Sequence, residues 1–106
     1  MTDRVAMIVA ELRKRLADIY GDRLERVILF GSQARGDATS ESDFDVLVVL
    51  WGEVSPGKEI LRTGEVASEL SLQYDVTISR VFVSAECFHE EPTPFLSNVR
   101  REGIAV

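Results

Sequence analysis

The segment GSQARGDATSESDFD, residues 31–45, lies between two short apolar runs. The run before it, residues 26–30, is β-branched and aromatic, so it predicts a buried strand. Residues 33–36 predict one helical turn and residues 37–42 a polar loop. Residues 43–50 predict a second strand that has acidic side chains at its start.

The turn at Gly31-Ser32 has features that suit a phosphate group. A strand that turns into a helix at this point exposes unpaired backbone N–H groups, and the helix dipole adds to their attraction for an anion. Gly31 lets a ligand approach the backbone closely, and the Ser32 hydroxyl is a further donor. A Gly-Ser turn is common, so the phosphate interpretation depends on the acidic residues that follow.

Asp43 and Asp45 are alternate residues of the predicted strand, so their carboxylates are expected side by side on one face. Like charges repel unless a cation lies between them, and Mg²⁺ binds one or two carboxylates together with substrate phosphates. Asp75 is predicted to open a third strand, residues 75–83. If the strands are neighbours, three carboxylates converge as a two-metal phosphoryl-transfer site requires. The alternative is a solvated strand end, with Asp75 only starting a strand.

The remaining elements place these strands in an α/β (α+β) fold. Apolar residues at spacings of three and four predict a first helix. The predicted order is a helix between a cap at Asp3 and a stop at Gly21, strand 26–30, strand 43–50, a helix capped by Ser55 and running to about residue 72, strand 75–83, a short helical piece near 85–89, and a last helix from 93 to a stop at Gly103. This order predicts a small sheet flanked by helices, with antiparallel or mixed strands, in a single domain over residues 1–106.

Composition restricts the partners. The net charge of −6 argues against long nucleic acid, which normally binds a basic surface. The longest apolar run, residues 46–51, is far shorter than the ~20 residues that cross a bilayer, so no membrane partner is expected. A single cysteine, Cys87, and the absence of a signal-like start favour a cytoplasmic protein.

The chain resembles the polymerase β-type nucleotidyltransferase superfamily. The resemblance is carried by Gly31-Ser32-x-x-Arg35-Gly36, a gap of five residues, and Ser42-Asp43-x-Asp45. It is most similar to the minimal nucleotidyltransferases, which include MntA-like antitoxins paired with HEPN-domain toxins. This group often has a C-terminal segment like Phe95-Leu96-x-Asn98-x-x-Arg101-Glu102-Gly103.

The resemblance implies a polymerase β-like nucleotidyltransferase fold, a small mixed sheet with helices, and a nucleotide site at Gly31, Ser32 and Arg35. Ser32 would bind the triphosphate of ATP or another NTP. Arg35 would be either a phosphate contact or a structural pin for the loop.

The resemblance also implies catalytic and metal-binding roles for three acids. Asp43 and Asp45 would bind two Mg²⁺ ions together with the NTP. Asp75 would complete the catalytic metal site and help deprotonate the acceptor hydroxyl. That hydroxyl would attack the α-phosphorus, and pyrophosphate would leave.

The implied function is transfer of AMP, or another NMP, to a partner protein. By the resemblance the acceptor is a tyrosine of a HEPN toxin, and the chain acts as an antitoxin. In larger family members a second domain covers one side of this site. By the resemblance, that side would be supplied here by the partner, by a further copy of the chain in an oligomer, or by the acceptor. Two alternatives remain: neutralisation of a toxin by occlusion without catalysis, and nucleotide transfer to a small molecule.

Overall fold

The two apolar runs around the 31–45 segment form the centre of a four-stranded mixed sheet with the order β3-β2-β1-β4. The computed structural model describes residues 1–39 and 43–106, so part of the predicted loop 37–42 lies outside the described residues. The strands are β1 (Leu24–Phe30), β2 (Phe44–Leu50), β3 (Ile78–Ser84) and β4 (Ile104–Ala105). β1 pairs antiparallel with β2 and β4, whereas β2 and β3 are parallel. The predicted mixed sheet is therefore confirmed.

Hydroxyl side chains cap some of the helices. The helices are α1 (Asp3–Tyr20), α2 (Ser32–Arg35), α3 (Pro56–Tyr74), α4 (Ala85–Glu90) and α5 (Pro94–Glu102). Thr2 and Thr93 cap α1 and α5 by accepting hydrogen bonds from Val5 N and Leu96 N. The predicted cap Asp3 is instead the first residue of α1, and Ser55 precedes α3 without a side-chain capping bond. None of the helices in the described part of the chain is long and apolar enough to cross a membrane.

β2 is buried on both faces, and this determines where its acidic start lies. One face packs against α1 and α3 through Phe44, Val46, Val48 and their neighbours in the larger core cluster. The other face packs against α4 and α5 through Leu47 and Val49. Because side chains alternate along a strand, Asp45 shares the second face with Leu47.

The prediction that Asp75 opens a strand is wrong. α3 continues to Tyr74, two residues beyond its predicted end, because Leu70 and Tyr74 both pack on the core. Asp75 ends this helix with a left-handed backbone (φ 54°, ψ 54°), and β3 begins only at Ile78. Aspartate tolerates this conformation better than most residues because its short side chain can bond locally.

Two glycines differ in the space around them and give a paired test of the packing. At Gly103 an added Cβ would lie 2.5 Å from Val99 O and would collide with Ile28 Cγ2. At Gly64, inside α3, an added Cβ would meet no described atom within 4 Å other than those of its chain neighbours and the adjacent helix backbone. Gly103→Ala should therefore lower the free energy of unfolding by about 1–3 kcal/mol. Gly64→Ala should raise it by about 0.5–1 kcal/mol.

Urea unfolding followed by circular dichroism measures both changes. If Gly103→Ala is as stable as the wild type, the packing of α5 against β1 is incorrectly described.

Candidate active site

The turn after β1 depends on a residue without a side chain. Gly31 has φ 71° and ψ −154°, a conformation that other residues rarely adopt. Its carbonyl accepts hydrogen bonds from Ala34 N and Arg35 N, both at 3.1 Å, which closes the turn into α2. A Cβ at this position would lie 2.5 Å from Asp45 Oδ2. Glycine is therefore required both by the backbone and by the carboxylate beside it.

Asp45 lies at the centre of the acidic end of the sheet. In the strand register it pairs with Phe30 on β1 and with Ser79 on β3. Directly paired residues of neighbouring strands point to the same face. The ring of Phe30, the carboxylate of Asp45 and the hydroxyl of Ser79 therefore form a row on the face that α4 and α5 cover further along the sheet.

The two aspartates of the motif form a like-charged pair. Burial raises the pKa of Asp45 above its ordinary value, the nearby Asp43 carboxylate raises it further, and Arg35 lowers it. Asp43 is exposed and directly precedes β2, whose first amide, Phe44 N, donates to Thr77 O at 2.8 Å. The two carboxylates are therefore close enough for the charge of Asp43 to act on Asp45. Their hard oxygen donors and unbalanced charge fit a divalent cation.

Ser32 and Arg35 belong to the single turn of α2. Ser32 is half-buried at its first residue, directly after Gly31. Arg35 is half-exposed at its last residue and pairs with Asp37 at 3.2 Å and with Glu102 of α5 at 3.7 Å. Arg35 therefore connects the motif turn to the C-terminal helix.

The structure does not bring Asp75 into a three-carboxylate group with the other two aspartates. Among residues 1–39 and 43–106, no three His, Cys, Asp or Glu side chains are close enough together to hold a metal ion. The register explains this, because Ser79 occupies the position on β3 that faces Asp45. The sequence pattern gave no signal for Ser79, since a serine within a strand is common.

Residues 9–106 match the model of the nucleotidyltransferase domain family. The chain belongs to this family. A relative from Methanocaldococcus jannaschii, named "putative protein adenylyltransferase", is 39% identical over 99 residues, which cover 93% of this chain and 95% of the relative.

Two solved structures share the fold. A toxin–antitoxin crystal structure with AMP-PNP has a TM-score of 0.66 at 22% identity, covering 91% of this chain and 69% of the other. A structure described as a "putative minimal nucleotidyltransferase" has a TM-score of 0.60 at 24% identity. The match covers 99% of this chain and 97% of the other. The predicted family, fold and enzyme class are thus confirmed.

The two relevant cavities of this nucleotidyltransferase lie at opposite ends of β2. The larger one, about 840 Å³, is an open groove beside Trp51, Ser84 and His89, far from the motif aspartates. A smaller one, about 250 Å³, adjoins Gly31 and Arg35 and reaches α5 at Phe95. The smaller cavity is the one that borders the residues with the nucleotidyltransferase signature.

Two positive-φ glycines allow the role of Gly31 to be tested. Gly52 has φ 84° and no described atom within 4 Å of an added Cβ, so it shares the backbone of Gly31 but not its neighbour. Gly31→Ala and Gly52→Ala should each cost about 1–3 kcal/mol of stability. Only Gly31→Ala should also weaken binding of ATP with Mg²⁺, by about tenfold or more, because it displaces the Asp45 carboxylate.

Unfolding curves and calorimetric titration of ATP with Mg²⁺ give the two quantities. Equal loss of nucleotide affinity in both variants would show that Gly31 contributes only general stability.

Proposed function

We propose that this nucleotidyltransferase transfers AMP from ATP to a hydroxyl of a partner protein, a tyrosine of a HEPN-domain toxin, and so acts as an antitoxin. The observation that carries the proposal is the Asp43–Asp45 pair held against the Gly31 turn. Two comparisons support it: an archaeal relative is named as a protein adenylyltransferase, and a structure of the same fold is a toxin–antitoxin with AMP-PNP.

In this proposal Asp43 and Asp45 hold Mg²⁺ together with the phosphates of the nucleotide. Bound metal ions would offset the charge that develops on the α-phosphate and on the departing pyrophosphate. The protein's own contribution is positional. The strand register holds Asp45 between β1 and β3, and the turn at Gly31 brings backbone amides up to the same point.

Gly31, Ser32 and Arg35 form the nucleotide side of the proposed site. Gly31 leaves room for a phosphate against the backbone, and the Ser32 hydroxyl donates to a phosphate oxygen. The pairing of Arg35 with Asp37 and Glu102 supports its role as a structural pin for the turn. Its positive charge also lies close enough to Asp45 to lower the pKa of that carboxyl.

The proposed reaction exchanges one phosphorus–oxygen bond for another. The acceptor oxygen forms a bond to the α-phosphorus, the bond from this phosphorus to the oxygen bridging the β-phosphate breaks, and pyrophosphate leaves with that oxygen. The acceptor's proton passes to water. Asp75 lies outside the carboxylate pair, so the proposal assigns it no metal and no proton.

The exposure of the site favours a large acceptor. Asp43, Arg35 and Gly36 are all exposed at the sheet edge. A tyrosine carried by another protein can therefore reach the aspartates, and the partner's surface can cover this exposed edge.

Removal of the two carboxylates tests the proposal. The double variant Asp43→Asn, Asp45→Asn keeps side-chain size but loses the charge that holds Mg²⁺. Loss of several kcal/mol of transition-state stabilisation should lower AMP transfer at least several-hundred-fold, at about tenfold per 1.36 kcal/mol. The variant should fold and should be at least as stable as the wild type, because two like charges no longer repel.

Asp75→Asn is the matched control, because it removes a carboxylate outside the Asp43–Asp45 pair and asparagine tolerates the left-handed backbone. It should keep AMP transfer within a few-fold of the wild type. Intact-mass measurement of the partner after incubation with ATP and Mg²⁺ detects transfer. If the double variant adds no AMP yet still neutralises its partner as well as the wild type, occlusion is the function instead.

A further inference from the structure

We propose that the cavity between the end of β1 and α5 binds the nucleobase of the incoming nucleotide and prefers adenine. The proposal rests on the proposed function for the position of the triphosphate. The cavity measures about 250 Å³, and its walls include Phe30, Gly31, Phe95 and Asn98. Gly31 belongs both to this cavity and to the turn beside Asp45, so a nucleotide bound at the turn has the cavity next to it.

Phe95 supplies an open aromatic surface in this cavity. Its ring meets Phe30 edge to face, with centroids 5.5 Å apart and planes at 83°. This contact fixes the ring, yet 42% of Phe95 remains exposed. The neighbouring Leu96 and Val99 are buried in the core that α5 shares with the sheet. An immobilised ring with a free face is the surface on which a planar base stacks.

Asn98 provides polar groups on the same side of α5. It follows Phe95 by three residues, so the two side chains are neighbours on the helix surface. Its Oδ1 accepts a hydrogen bond from Arg101 Nη2 at 2.7 Å, which orients the amide. The Oδ1 atom can accept once more, and Nδ2 donates.

The orientation of this amide favours one base over another. Adenine presents an acceptor at N7 beside a donor at N6, which an asparagine amide matches with two hydrogen bonds. Guanine presents acceptors at both N7 and O6. One of these acceptors would face Asn98 Oδ1, and two acceptors cannot form a hydrogen bond with each other. The cavity therefore distinguishes adenine from guanine through a single side chain.

The first test separates the contribution of the base to binding from the contribution of the phosphates. Calorimetric titration in Mg²⁺ compares ATP with inorganic tripolyphosphate, which has no base. Phe95→Ala should weaken ATP binding by about tenfold or more, through loss of stacking, and should leave tripolyphosphate binding unchanged. Phe95→Trp should retain ATP affinity. Phe95→Leu should lose it although leucine keeps apolar packing against Phe30.

Leu61→Ala is the control, because Leu61 is 83% exposed on α3, away from the cavity. The Leu61→Ala variant should bind both ATP and tripolyphosphate with the affinity of the wild type. If Phe95→Leu weakens the binding of ATP and of tripolyphosphate equally, Phe95 supports the phosphate-binding turn and does not contact a base. That result overturns the proposal. Unchanged ATP affinity in this variant also overturns it and points to another occupant, such as the acceptor's aromatic ring. Neither result depends on transfer activity, so failure here is distinct from failure of the proposed function.

The second test concerns base preference. The wild type should bind ATP about tenfold or more tightly than GTP, and Asn98→Ala should bring this ratio close to one by weakening ATP binding. Ser97→Ala, at the adjacent position of α5, should leave the ratio unchanged. A wild type that binds the two nucleotides equally, or an unchanged ratio in Asn98→Ala, would overturn the assignment of Asn98.

Discussion

The structure depends on the close approach of Gly31 to Asp45. The antiparallel pairing of β1 and β2 puts the end of one strand beside the start of the other. At that point the carboxylate occupies the space where any other residue would have its Cβ. The same contact places backbone amides, a carboxylate pair and the first turn of α2 together. A strand pair without this glycine would have to separate Asp45 from the turn, and the site would not form.

The C-terminal helix contributes to the core and to the site at once. Leu96 and Val99 seal the second face of the sheet, whereas Phe95 and Glu102 reach the motif turn through Phe30 and Arg35. In this chain, one helix supplies packing energy on one side and a candidate wall for the nucleotide on the other.

The parts of the fold that follow from local patterns were predictable. The apolar runs around the motif identified β1 and β2, and alternation along β2 correctly placed Asp45 opposite to Phe44 and Val46. The position of Asp75 at the end of α3 was not predictable, because it depended on whether α3 stops before or after Tyr74. β4 was missed because its two residues have no periodicity. The cavity at Phe95 arises from contact between segments distant in sequence, which no local pattern reports.

The most direct test of the account is to locate a bound divalent ion. Mn²⁺ can replace Mg²⁺, and its unpaired electrons broaden the NMR signals of nearby amides in a chain of 11.8 kDa. With a nucleotide present, broadening should be strongest at Gly31, Asp45 and Ser79, and it should disappear in the Asp43→Asn, Asp45→Asn variant. Broadening centred on Asp75, or on the groove beside Trp51 and His89, would contradict the account.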